Sequence, residues 1–322
     1  YEISGGLVGS EMCIRDRFVR VKMISDKALI PILIGVLSLI WGSSYILMTV
    51  GLKSFTPYEV SAWRYVFALL AIAPFAFKKL LQISRSDWPW IMVVTFVGTA
   101  LPGIIYPTSV SYVDSSVIGI INALTPLFTL SIGFTVFQIK PDFFKVFGVL
   151  LGLVGAAVLI LVGSPSGSDT TVSYALLAVL APFCYGISTN VIKSKLGHLN
   201  PLAITMAMFT QLGLLGILFL VLSPNWKLFF FDISNGIDFM HIESILAMII
   251  LGGFGTSLAL FLFYNLIQRT SAVAASTVTY IMPVVALFWG FLAGEEIDVW
   301  HAFGFAFIVS GIFLVNTMWK KT

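Results

Sequence analysis

At intervals of roughly thirty residues the chain presents apolar stretches of about 20 residues whose interiors are almost free of Asp, Glu, Lys and Arg, the length of α-helix needed to cross a bilayer. Such stretches fall at 28–50, 60–77, 88–109, 117–137, 143–162, 174–192, 202–222, 245–267, 272–293 and 299–318. Lipid offers no partners to open backbone N–H and C=O groups, so each stretch is expected to be a continuous helix. Arg64 is the one basic residue well inside a span. The charged fraction is 10% and mean hydropathy +1.00, whereas soluble domains carry about a quarter charged residues. Water is therefore not the main solvent of this chain. The net charge of +3 is small, and the basic residues sit in twos and threes between apolar runs, unlike a nucleic-acid-binding stripe. Cys13 and Cys184 suggest neither a disulfide framework nor a metal site, and nothing implies a cofactor.

Residues 1–22 read differently. The run LVGSEMCIRDR at 7–17 looks like translated read-through of a sequencing-library adapter, so the expected natural start is Met23. The alternative reading is a disordered N-terminal tail.

Loop charge orients the spans. With the N-terminus assigned to the cytoplasm, one side holds Lys27, Lys78, Lys79, Arg85, Lys140, Lys145, Lys193, Lys195, Arg269, Lys320 and Lys321. The other holds only Lys53 and Lys227, beside Asp114, Asp169, Asp232, Asp238, Glu243, Glu295, Glu296 and Asp298. Lys and Arg gather on the cytoplasmic side of membrane proteins. Losing any one helix would invert every later loop, so the expectation is ten helices with both ends cytoplasmic.

The chain also repeats itself. Trp41-Gly42-Ser43-Ser44 precedes Pro57 as Tyr185-Gly186-Ile187-Ser188 precedes Pro201, an offset of 144 positions. Asp114 to Pro126 (DSSVIGIINALTP) parallels Ser271 to Pro283 (SAVAASTVTYIMP), and Gly148 and Gly155 parallel Gly304 and Gly311. These matches divide the chain into residues 23–165 and 170–322, five spans each. An odd number of spans makes the second half enter the membrane from the opposite side. The expected fold is thus an all-α integral membrane protein, ten transmembrane helices arranged as two inverted five-helix repeats, a recurrent plan among transporters.

The segments WGSSY at 41–45, FTPYEVSAWRY at 55–65, NALTPLF at 122–128, YIMPVVA at 280–286 and AGEE at 293–296 resemble those of the EamA family of the drug/metabolite transporter superfamily. The likeness runs from Met23 to the end. It implies a permease of a prokaryotic inner or plasma membrane that exports small metabolites. One departure is that helix 4 ends in Phe137-Gln138-Ile139-Lys140, where the family often has an acid like Glu295.

Polar and helix-weakening residues inside spans are candidate site residues, because lipid penalises them unless they face protein or a water-filled cavity. Helix 1 offers Trp41, Ser44 and Tyr45; Trp41 and Tyr45, at i and i+4, share a face, while Gly42 and Ser44 equally suit close helix packing. Helix 3 carries Tyr106 between Pro102 and Pro107, each proline freeing a carbonyl to line a cavity or simply kinking the helix. Helix 4 presents Asn122 and Thr125 beside Pro126, and helix 9 presents Ser276, Thr279 and Tyr280 beside Pro283. Helix 6 adds Tyr185 and Ser188, and helix 8 adds Tyr264 after a glycine cluster, Gly252, Gly253 and Gly255, that reads first as packing or a hinge. Arg64 could bind a substrate carboxylate or hold a carbonyl structurally; Glu59, five positions away, is poorly placed to pair with it.

No span carries a central acid or a His relay, so coupling is left to Glu59, a loop acid or exchange against a counter-substrate. A single intramembrane arginine disfavours multiply charged phosphate cargo. The expected cargo is an amino acid or a related neutral, zwitterionic or cationic compound. A passive channel is the alternative; a membrane-embedded enzyme would call for paired acids, a Ser/His pair or HExxH within spans, and none occurs.

Overall fold

The structure, a computed structural model, describes residues 26–137, 169–223, 239–295 and 298–317, with scattered positions between 143 and 158. Residues 1–22 and most of the expected fifth span lie outside the described residues. The described chain is helical, without strands. Helix α1 is Asp26–Gly51, and α2 is Pro57–Ala76, prolonged by a 3-10 turn at Phe77–Gln82. Trp88–Val110 forms α3 and Ser115–Val136 forms α4. Beyond the fifth expected span come α5 (Asp169–Lys195), α6 (Pro201–Leu222), α7 (Ile242–Arg269), α8 (Ala272–Leu292) and α9 (Val299–Thr317). The first eight, α1 to α8, are long and apolar enough to cross a membrane, and α9 contains a shorter apolar stretch, Val299–Gly311.

Local chemistry explains where the helices begin. Thr56 and Glu59 form a capping box at the start of α2, with Pro57 in the first turn, where its missing N–H costs nothing. At α6 Asn200 caps the helix by accepting from the Leu202 N–H, again with a proline, Pro201, in the first turn, and Ser271 caps α8. Glu59 is thereby engaged at the helix end, and its Oε1 accepts a hydrogen bond from Ser223, so it makes no pair with Arg64.

The exterior is apolar. Phe75, Leu81, Leu214, Leu222, Phe288 and Phe291 are all exposed, the inverse of a soluble surface and the expected condition of a lipid-facing one. The buried interior joins Leu37, Ile118, Ile121, Leu124, Ala178 and Leu266, with a second cluster of Tyr65, Ile72, Phe209 and Leu212 between α2 and α6.

Lipid supplies no hydrophobic drive for helix association, so small residues at the seams matter. A Cβ on Gly42 of α1 would stand 2.9 Å from the Met282 carbonyl oxygen of α8 and 2.5 Å from Val285 Cβ. One on Gly186 of α5 would stand 2.9 Å from the Phe128 carbonyl carbon and the Thr129 nitrogen of α4. Gly42 and Gly186 occupy equivalent places in the two sequence halves. So do the glycines that meet α9: a Cβ on Gly155 would lie 2.7 Å from the Gly304 oxygen, and one on Gly311 would fall against Gly148 and Gly152.

The same correspondence governs helix irregularities. A π-helical turn interrupts α3 at Phe96–Ala100 and α7 at Gly253–Leu258, and a 3-10 turn precedes the proline of α4 at Asn122–Leu124 and that of α8 at Thr277–Tyr280. Thr99 and Thr256, 157 positions apart, both donate their hydroxyl to the carbonyl five residues back, Val94 at 3.3 Å and Leu251 at 2.7 Å.

Candidate functional site

The two π turns organise the centre of the molecule. A π turn disturbs the i→i−4 ladder and leaves carbonyls for other donors. Tyr65 on α2 donates its hydroxyl to the Thr99 carbonyl at 2.8 Å, and Trp41 on α1 donates its indole N–H to the Gly255 carbonyl at 3.1 Å. Glycine permits this closeness: a Cβ on Gly98 would fall on the Ser188 side chain, and one on Gly255 would stand 3.1 Å from Ser44 Oγ. Ser44 and Ser188 are themselves the 144-position equivalents, so each half folds its first helix against the other half's π turn.

Between these contacts lies a cavity of about 70 Å³, with walls from α1, α2, α3, α4, α5, α7 and α8. That is room for several water molecules or one compact organic solute. Eleven of the residues singled out in the sequence line it: Trp41, Ser44, Tyr45, Arg64, Tyr106, Asn122, Thr125, Tyr185, Ser188, Tyr264 and Thr279. Ser276 and Tyr280 are not on this wall. Ser276 is fully buried with its hydroxyl turned back to the Val273 carbonyl, and Tyr280 packs against the main hydrophobic core. Both belong to the helical turn around Thr279, and that turn presents only Thr279 and, after the 3-10 segment, Met282 to the space. The sequence reading did not single out Met48, Gly98, Thr99, Thr189, Leu260, Phe263 or Met282, which complete the lining. The equivalence of Gly98 with Gly255 was the available signal for the π turn; Phe263 and Leu260 carried none.

The aromatic groups are mutually braced. Trp41 meets Phe263 edge-on at 4.9 Å, Tyr45 meets Tyr106 edge-on at 5.7 Å, and Tyr106 leans on Tyr185 at 6.1 Å. Such pairs contribute about 0.5–1.5 kcal/mol beyond burial. Tyr264, beside Phe263 at 6.4 Å, donates to Met208 Sδ at 3.0 Å.

A polar chain crosses from α3 to α4. The Tyr106 hydroxyl donates to Asn122 Oδ1 at 2.5 Å, and Thr125 donates to the Asn122 carbonyl at 2.7 Å. Pro126 has no N–H to offer that carbonyl, so the Thr125 hydroxyl replaces the missing donor. Pro107 likewise orphans the Gly103 carbonyl, which accepts from Ser61 of α2 at 2.7 Å. The carbonyl freed by Pro107 therefore joins two helices instead of lining the cavity, whereas Pro102 stands four residues after Gly98, which is part of the cavity wall.

Arg64 is 8% exposed. Its Nε donates to Thr256 Oγ1 at 2.5 Å, and the Thr256 hydroxyl is held in the accepting orientation by its own bond to Leu251. Nη1 is buried without a hydrogen-bond partner. Among the described residues no group of His, Cys, Asp and Glu side chains could hold a metal ion.

Two charged contacts close helix ends away from the cavity. Glu295 accepts the backbone N–H groups of Ser115 at 3.0 Å and Ser116 at 3.1 Å, and the Ser115 hydroxyl at 2.5 Å. Lys193 donates to the carbonyls of Ile267, Gln268 and Thr270 at the end of α7, at 3.1, 3.3 and 2.5 Å. An anion at a helix start and a cation at a helix end each complement the helix dipole.

Comparison with known proteins agrees with this architecture. A family model, the EamA-like transporter family, matches the chain twice, over residues 29–161 and 172–317. An uncharacterized transporter in the trpA 3' region of Buchnera aphidicola subsp. Schlechtendalia chinensis is 24% identical over 291 residues, 89% of this chain and 93% of that protein. The uncharacterized transporter YetK of Bacillus subtilis is 24% identical over 288 residues, 87% of this chain and 84% of its own length. A solved crystal structure superposes with a TM-score of 0.64 over 90% of this chain and 97% of that one; at 14% identity the likeness concerns fold alone. The matched segments cover most of the chain, which is an integral membrane protein and belongs to the EamA-like transporter family.

Proposed function

We propose that this protein exports small metabolites, amino acids or compounds related to them, across a prokaryotic inner or plasma membrane by alternating access. The observation that carries this reading is the cavity itself: equivalent residues of both halves, Ser44 with Ser188 and Asn122 with Thr279, line one space between two equivalent π turns. A site shared by similar halves can be exposed to either side by rocking one half against the other.

In this reading the chain has ten transmembrane helices with both ends cytoplasmic, as two inverted repeats of five spans at 23–165 and 170–322, and residues 1–22 are foreign to it. The repeated family match and the paired irregularities of α3 with α7 and of α4 with α8 support the duplication. The role is transport rather than catalysis, and the cavity residues bind cargo. Flux is driven by exchange against a counter-substrate or by proton coupling through Glu59 or a loop acid.

Reconstitution into liposomes tests the proposal. Saturable uptake stimulated by internal substrate is expected for at least one class of amino-acid-like metabolite. Non-saturating flux without exchange stimulation would indicate a channel, and absence of flux with every metabolite class would overturn the carrier reading.

A further inference from the structure

Arg64 is a permanent cation placed about two helical turns inside α2 from Pro57, roughly 10 Å along the axis. A charge at such depth is costly unless it is paired. Here it lacks an ionic partner: among the described residues no acidic side chain lines the cavity. Glu59, the acid of its own helix, is held at the helix end by Thr56 and Ser223. The neutral contact from Nε to Thr256 accounts for one donor, while Nη1 is left buried and unpartnered. Thr256 also fixes the guanidinium plane against the π turn of α7, which a purely snorkelling side chain would not require.

We propose that Arg64 is the carboxylate-binding residue of the cavity, so that the cargo is a monocarboxylate or a zwitterionic amino acid and not a simple cation or amine. A planar guanidinium presents a fork that matches a carboxylate, and the pair is strong where water is scarce. A bound carboxylate supplies the missing counter-charge. The ammonium of a zwitterion then meets the rings of Trp41, Tyr45, Tyr106 and Tyr185, which attract cations through their faces. An amine without a carboxylate meets the same rings but leaves the charge of Arg64 uncompensated beside its own, and that like-charge repulsion disfavours it.

The inference rests on the cavity being the cargo site, and its test separates the two. Purified protein in nanodiscs is titrated with a size-graded panel of monocarboxylates and amino acids, each beside its carboxamide and its decarboxylated amine. At least one carboxylate member is expected to bind, with its carboxamide and amine at least tenfold weaker. Arg64→Gln should lose that discrimination and Arg64→Lys keep part of it, a difference that a merely structural role would not produce. Should Arg64→Gln fail to fold, the carboxylate and carboxamide comparison on the unaltered protein decides. Equal or tighter binding of carboxamides or amines, or no binding by any carboxylate, overturns the inference. Liposome counterflow with the same compounds is read separately. Discriminating binding without flux retires the transport reading and leaves the carboxylate site standing; flux without discrimination does the reverse.

Discussion

Glu295, in the loop that follows α8, accepts the backbone N–H and the hydroxyl of Ser115 at the first turn of α4, at 3.0 and 2.5 Å. The contact joins segments 180 residues apart and places a carboxylate where the helix exposes unsatisfied donors. In the other half the start of α8 is capped instead by its own Ser271, which accepts from Ala274 at 3.1 Å. The two ends of the α4/α8 pair are thus held by different chemistry.

Glu295→Ala is expected to lower stability by about 1–2 kcal/mol, the scale of a lost cap with a favourable dipole contact. Glu295→Gln should cost less, because an amide oxygen still accepts one N–H. Thermal unfolding in detergent checks the order of the two. An unchanged melting temperature in the alanine variant would remove the contact from any role in holding α4.

Gly42→Ala and Gly186→Ala should each destabilise by about 1–3 kcal/mol, since the added methyl meets backbone atoms of a neighbouring helix and the pair must part. Gly35→Ala is the control. Nothing stands within 4 Å of a Cβ there, and alanine is the better helix former by up to about 1 kcal/mol. Equal losses at all three positions would refute the seam argument.

Tyr106→Phe should cost about 1–3 kcal/mol, because it leaves the buried Asn122 Oδ1 with only the longer, 3.3 Å arm of a Thr125 hydroxyl whose single proton goes mainly to the Asn122 carbonyl at 2.7 Å. Asn122→Ala should cost about 1–3 kcal/mol, because it strands the buried Tyr106 hydroxyl. A double-mutant cycle measures the coupling, and strict additivity would show that the two groups act independently.

At the loop before α3, Asp87 approaches His198 at 3.3 Å and accepts from Ser84 at 2.8 Å. Burial opposes its charge, but these bonds outweigh burial and lower its pKa from 3.8. A lowered native value means that the contribution is fully present above 3.8 and is lost as pH falls through the lowered value. With His198 exposed, the contribution is at most about 1 kcal/mol. Asp87→Asn should therefore reduce stability near neutral pH and flatten its acid decline; parallel pH profiles for the two proteins would contradict this.

The length and spacing of the spans were legible in the sequence because bilayer thickness sets them residue by residue, without reference to neighbours. Eight of the expected spans recur as membrane-capable helices close to the boundaries read from charge-free runs, and the end caps at Thr56, Asn200 and Ser271 are local signals. Which face of each helix looks inward was much less legible. A helix surrounded by lipid and by other apolar helices has no polar side to reveal its rotation. Trp41 with Tyr45 could be grouped by spacing because one undisturbed α-helical turn separates them, and Asn122 with Thr125 because residues three apart stay on one face even in the 3-10 turn at Asn122–Leu124. Around Thr279 the chain tightens into a 3-10 turn, and Ser276 and Tyr280 rotate out of the cavity.

Sequence alone determined that this chain crosses a membrane repeatedly, since that property resides in composition and order, and its recurring motifs carried the expectation of two related halves. Tertiary structure decided where the cavity lies and what state its charge is in. A π turn inserts one residue into the helical ladder and swings all that follows by about 100°, so Thr256 reaches Arg64 and Phe263 reaches Trp41 through packing that no local pattern encodes. The partnerless Nη1 of Arg64 is likewise a property of the assembled helices, because only their packing determines which groups come within reach of a guanidinium.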